Sequence, residues 1–198
     1  MKILAVSDEE ILEKYPIDQL KKMFSEIELI ISCGDVSNKY LDYLFTILNK
    51  ELIYVNGNHV YSENHDISFC KNLDGGNICT VKGIKIVGYD GSQIYSRGSH
   101  QYSEKDVFFM VMKSFVKAKF SNVDLIISHS PIGGINEGSD PIHKGFYSYK
   151  KAIDFMKPKY WLHGHVHLKN HHEVKEAYLE GTKIINVFGY KIIDLDID

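Results

Sequence analysis

The sequence predicts an α/β fold of two packed sheets with mixed strand directions and helices outside. Three observations predict it. Short apolar runs alternate with stretches of helical spacing early in the chain, as in parallel βαβ units. Further on, apolar runs flank glycine-bearing turns, as in antiparallel pairs. Nearly every apolar run also stops at a cluster of Asp, Asn or His, as happens where an α/β sheet delivers functional groups along one edge.

Lys2 to Val6 is a strand that stops at Ser7-Asp8, and Ile17 to Phe24 carries Ile17, Leu20, Met23 and Phe24 at helical spacing. Leu29 to Ile31 is a second strand, ending at Gly34-Asp35. Tyr40 to Leu48 is a helix with Leu41, Leu44, Phe45 and Leu48 on one face, and Leu52 to Val55 is a third strand, ending at Asn56-Gly57-Asn58-His59. Ile78 to Val81 and Ile84 to Val87 flank Lys82-Gly83 as a hairpin. Ser103 caps the longest helix, to Lys119, with Val107, Met110, Val111, Ser114 and Phe115 facing inward. Leu125 to Ile127 is a strand ending at Ser128-His129, followed by a polar loop from Pro131 to about Gly145. Tyr149 to Met156 is a short helix, and Tyr160 to Leu162 a strand ending at His163-Gly164-His165. Thr182 to Val187 and Tyr190 to Leu195 are the last two strands. No linker, repeat or low-complexity segment divides the 198 residues, so one domain over 1–198 is expected.

The net charge of -3 gives no general attraction to nucleic acid or anionic membrane. No apolar run is long enough to span a bilayer, and the apolar stretch after Met1 is too short for a signal peptide. The three cysteines, Cys33, Cys70 and Cys79, are odd in number and lack metal-type spacing, which fits reduced thiols and a cytoplasmic protein.

The strand-end residues supply seven nitrogen or oxygen donors: Asp8, Glu10, Asp35, Asn58, His129, His165 and His167. An extended backbone would aim Asp8 and Glu10 to one side, and likewise His165 and His167. Seven donors exceed the needs of one tetrahedral zinc and suit two divalent cations sharing a carboxylate. With no cysteine in the set, Mn²⁺, Fe or Zn²⁺ fit better than a thiolate-selected metal.

These segments resemble the calcineurin-like metallophosphoesterase superfamily. Its blocks Asp-x-His, Gly-Asp, Gly-Asn-His-Asp/Glu, a lone His and Gly-His-x-His correspond in order to Asp8-Glu9-Glu10, Gly34-Asp35, Gly57-Asn58-His59-Val60, His129 and Gly164-His165-Val166-His167. The stretch from Ser128 through Phe146 is similar to small bacterial and archaeal members. The resemblance implies a four-layer α/β/β/α sandwich and hydrolysis of a phosphodiester or phosphomonoester by dinuclear activation of water. It implies that Asp35 bridges the cations. Asp8, Glu10 and His167 would complete one site; Asn58, His129 and His165 the other. His59 would be the general acid.

Two positions depart from the pattern. Glu10 replaces a histidine, adding negative charge and oxygen character, which shifts the preference toward Mn²⁺ or Fe. Val60 replaces an acidic residue that commonly supports the neighbouring histidine. His143 and Arg97 are candidate substrate contacts, with Tyr61, His100 and Lys144 behind them. The expected partner is a small phosphate ester; membrane and nucleic acid are not indicated, and a homo-oligomer is compatible with the sequence. The competing reading is a catalytically weakened binding or scaffold protein on the same fold. A metallo-β-lactamase-type zinc hydrolase is excluded, because His165-Val166-His167-Leu168-Lys169 lacks the required Asp-His.

Overall fold

The computed structural model describes residues 1–59, 66–96 and 98–197. Its elements run β1 (Lys2–Ser7), a 3-10 turn (Ile11–Lys14), α1 (Ile17–Met23), β2 (Leu29–Ser32), α2 (Asn38–Leu48), β3 (Leu52–Tyr54) and β4 (Lys71–Asn72). There follow β5 (Asn77–Val81), β6 (Ile84–Tyr89), β7 (Ser92–Gln93), β8 (Gln101–Tyr102), α3 (Glu104–Lys117) and β9 (Leu125–Ser128). The last are α4 (Ser148–Met156), β10 (Tyr160–His163), β11 (Lys175–Leu179), β12 (Thr182–Asn186) and β13 (Gly189–Asp194).

Two large sheets carry the fold. The first has the order β13-β1-β2-β3-β4 and the second β11-β12-β10-β9-β6-β5; β7 and β8 form a small third sheet. Within the first, β1, β2, β3 and β4 are parallel and β13 is antiparallel. Within the second, β6, β9, β10 and β12 are parallel, with antiparallel β5 and β11 at the edges.

Side-chain alternation explains why the central strands read as unbroken apolar runs: both faces are buried. Ile3, Ala5, Leu29 and Ile31 point between the sheets, where they meet Ile86, Leu125, Ile127 and Leu162. Leu4, Val6 and Ile30 point the other way, against Leu20 of α1 and Leu41 and Leu44 of α2. On the far face, Val87, Ile126 and Trp161 pack against Val107 and Val111 of α3 and Ala152 and Ile153 of α4. The layers are therefore helix, sheet, sheet, helix, as expected.

The helix signals hold. Ser103 caps α3 in a full capping box with Asp106. Ser37 caps α2 through Tyr40 N–H. The three cysteines are free and buried. Among the described residues no helix is long and apolar enough to cross a membrane.

The expected last two strands belong to different sheets. β12 pairs with β10, and after Val187-Phe188 the chain crosses so that β13 pairs with β1, Lys2 opposite Asp194. The parallel strands of both sheets deliver their carboxyl ends to one side, where the two sheets meet.

Candidate metal centre

The first sheet presents Asp8 after β1, Gly34-Asp35 after β2 and Asn58 after β3. The second presents His129 after β9 and His165 after β10. Cross-sheet hydrogen bonds seal the junction. His129 Nδ1 bonds the Cys33 carbonyl at 2.9 Å, and the His165 amide donates to both Asp8 carboxylate oxygens at 3.1 Å. Such contacts need bare backbone. A Cβ on Gly57 would lie 1.8 Å from Asp35 Oδ1, and one on Gly164 would lie 1.8 Å from Ser7 Oγ.

The expectation of extended backbone at these segments is corrected by the structure. Asp8, Asp35 and His165 have left-handed backbones, with φ of 64°, 52° and 65°. Strained backbone of this kind persists where the surroundings hold it in place. Just beyond the turn at Asp8, Glu10 Oε1 accepts from Ser37 N–H at 2.7 Å, at the start of α2. His165 is buried, whereas His167 is 63% exposed and has Nε2 4.0 Å from Asp8 Oδ1.

Hydrogen bonding fixes the tautomers at the centre. A carbonyl only accepts, so His129 carries its proton on Nδ1 toward Cys33, and His165 carries its proton on Nε2 toward the Ile142 carbonyl, at 2.9 Å. His129 Nε2 and His165 Nδ1 then face each other at 3.1 Å. Asn58 Oδ1 lies 3.0 Å and Asp35 Oδ2 3.3 Å from the same His129 Nε2. Asn58 is aimed by its own amide, which donates to Tyr95 Oη at 2.9 Å. Once His129 gives up its Nε2 proton, lone pairs from four separate segments converge on one spot, and ligand atoms of Asp35, His129 and His165 all lie within 4.8 Å of one another.

Electrostatics marks this spot as a place for positive charge. Burial pulls His129 down, yet the Asp35 and Asp8 carboxylates outweigh it and the ring titrates at about 9. Burial opposes ionisation of Asp35, but the charge and hydrogen bond of His129 bring it to about 2. Burial, then the neighbouring His129, depress His165 to about 3. Burial also pushes Asp8 up. In the protein alone a proton on His129 Nε2 serves these acceptors, and a divalent cation fits the same donor set. Burial drives the Cys33 thiol far up, so it offers no thiolate despite its position beside the centre.

His59 stands at the rim, 67% exposed, with its amide on Asp35 Oδ1 at 3.0 Å and its ring Nε2 3.8 Å from Asp35 Oδ2. The loop after β9 folds over the centre. His143, held through Nδ1 by Asp140 at 2.9 Å, has its ring 5.0 Å from that of His165 and 5.8 Å from that of His167. Lys144 is spent within this loop, on Glu137 and the Gly138 carbonyl. His163 is buried beneath the centre, donating from Nδ1 to the Gly164 carbonyl. Val60, Tyr61 and Arg97 lie outside the described residues. Sequence reasoning missed Tyr95 and the carbonyls of Cys33 and Ile142, none of which carries a local pattern.

A family model for calcineurin-like phosphoesterases matches residues 1–169. The chain belongs to the calcineurin-like phosphoesterase family. No curated protein sequence matches it closely enough to count as a relative. Among solved structures, one aligns with a TM-score of 0.70 at 16% identity, covering 98% of this chain and 95% of its own. TT1561 of Thermus thermophilus aligns at 0.66 with 14% identity, covering 98% and 94%. Both likenesses concern the fold. A structure described as a novel archaeal phosphodiesterase aligns at 0.46 with 15% identity, covering 96% and 84%. Membership accounts for the order of the strand-end blocks: this phosphoesterase fold keeps its polar residues where the two sheets meet.

Proposed function

We propose that this calcineurin-like phosphoesterase hydrolyses a small phosphodiester or phosphomonoester at a centre holding two divalent cations, with Mn²⁺ preferred over Fe and Zn²⁺. The observation that carries the reading is the convergence of His129 Nε2, His165 Nδ1, Asp35 Oδ2 and Asn58 Oδ1, with both rings turned by backbone carbonyls so that lone pairs face inward. When bound, such cations supply Lewis acidity for water and for phosphoryl oxygens. The donors are carboxylate, amide and imidazole, a hard-to-borderline set that favours Mn²⁺.

In this reading Asn58, His129 and His165 would hold one cation. Asp8, Glu10 and His167 would hold the other, Glu10 through the carboxylate oxygen not bonded to Ser37, and Asp35 would serve both. His59, tethered to Asp35 by its backbone amide, holds a phosphoryl oxygen and gives its ring proton to the leaving oxygen. His143, fixed by Asp140 above His165 and His167, binds a phosphoryl oxygen from the loop side.

The test is turnover of bis(4-nitrophenyl) phosphate and 4-nitrophenyl phosphate with added Mn²⁺. Asn58→Ala is expected to lose one of two bound metal equivalents and most of the turnover. Stoichiometric metal uptake without turnover of any ester would favour a binding or scaffold role instead.

A further inference from the structure

A cavity of about 200 Å³ adjoins the centre, lined by Asp35, Tyr54, Asn56, Gly57, His59 and His100 among others. No lysine or arginine lines it among the described residues, so its cation-capable side chains are His59 and His100. His100 is not among the seven strand-end donors, yet it is firmly held. Its ring Nδ1–H donates to Asp90 Oδ2 at 2.7 Å, and Asp90 is 1% exposed. Asp90 also accepts from Tyr102 Oη at 2.5 Å and from Gly75 N–H at 2.7 Å. The His100 backbone is left-handed, at φ 52°, and its carbonyl accepts from Ser92 N–H at 3.0 Å. A non-glycine residue kept in that region marks surroundings that over-determine its position.

Asp74 stands close by, its ligand atom within 4.8 Å of those of Asp90 and His100. Its oxygens accept from Asn56 N–H at 2.8 Å and from Asn56 Nδ2 at 2.6 Å. With the oxygens of both carboxylates spent on N–H and O–H donors, the trio is a brace and not a cation cage. With Nδ1 engaged, Nε2 is the remaining polar edge of a ring that lines the cavity. The bond to Asp90 raises His100 above the usual histidine range against the opposing effect of burial, which favours the form with a proton on Nε2.

We propose that His100, braced by Asp90, is a specificity residue: its Nε2–H donates to a second anionic group on the leaving portion of a small phosphate ester lodged in this cavity. The inference rests on the phosphoesterase reading and narrows its substrate class to esters carrying a carboxylate or a further phosphoryl group beyond the scissile phosphate.

The test compares Mn²⁺-loaded wild type with His100→Asn, a residue that tolerates left-handed backbone but is too short to reach. Each protein is given phenyl phosphate and 3- and 4-carboxyphenyl phosphate. In parallel, calorimetry measures binding of phenylphosphonate and its carboxylated counterparts. Wild type is expected to prefer a carboxylated ligand, and His100→Asn to lose about tenfold of that preference, in KM more than in kcat, as for one charge-assisted hydrogen bond. Because the readout is a ratio within each protein, a partly unfolded variant does not mimic the result. Asp90→Asn should move the ratio the same way. An equal ratio in wild type and His100→Asn, in turnover or in binding, overturns the proposal. If wild type hydrolyses none of the esters while the phosphonate preference is present and lost in His100→Asn, the phosphoesterase reading falls and the His100 assignment stands.

Discussion

At Gly57 the candidate centre leaves no room for even a methyl group. A Cβ built on this residue overlaps Asp35 Oδ1, so Gly57→Ala should push that carboxylate out of line. The expected outcome is loss of metal uptake by calorimetry with far-UV circular dichroism retained. His59 is the opposite case. It touches Asp35 through its backbone, which substitution preserves. His59→Ala should therefore spare metal uptake and slow alkyl esters more than aryl esters, since only poor leaving groups need a proton donor. Equal slowing of both classes would remove the proton-donor assignment. The strand-end residues were legible because apolar runs with both faces buried are easy to delimit, and the residues just past each run lie at the sheet edge. The direction of Glu10 was not legible. A two-residue spacing predicts a shared side only in extended backbone, and the backbone at Asp8 is left-handed, with one Glu10 oxygen bonded to Ser37 N–H. Tyr95 was hidden because it aims Asn58 from a loop with no sequence pattern of its own.

At the scale of elements, two hairpins show what periodicity detects and what it misses. β5 and β6 turn at Lys82-Gly83, with φ of 48° and 86°, and their apolar alternation made them visible. β11 and β12 turn at Glu180-Gly181 with almost the same angles, 47° and 86°, yet β11 was not expected. Its sequence, KEAYL, lies at a sheet edge with alternate residues exposed, so no apolar run announces it. The two-residue strands β4, β7 and β8 escape for the same reason of brevity. Capping, by contrast, is a local code. Ser103→Ala removes the acceptor for Asp106 N–H and should cost about 1 kcal/mol in chemical denaturation. α3 packs on the far sheet, so metal uptake should be unaffected by that substitution.

At the scale of the whole molecule, the buried histidines set opposing slopes on stability. His129 titrates at about 9 in the metal-free fold, above its ordinary 6.5. Its contribution is complete below pH 6.5 and is lost as pH rises through about 9. His163 is lowered to about 4 by burial, and His165 to about 3 by burial and then His129. Their contributions are complete above pH 6.5 and are lost as pH falls toward those values. Metal-free protein should accordingly show its highest denaturation midpoint near pH 6.5. A divalent cation should move that optimum upward, because it replaces the His129 proton and its binding strengthens as that proton leaves. A midpoint that falls between pH 6.5 and 9 equally with and without Mn²⁺ would contradict the shared location of proton and cation.

The crossing at Val187-Phe188 also governs how this protein is born. β1 has β2 on one side and β13 on the other, and β13 is Gly189–Asp194. While the ribosome is still adding residues before 189, a nascent first sheet can assemble through β4, yet the outer margin of β1 stays open, an apolar strand with unpaired backbone. Only the arrival of β13 closes it. A chain stalled or truncated before that point would carry every strand-end residue of the centre and still expose a sticky border, making it a client for chaperones and a seed for aggregation.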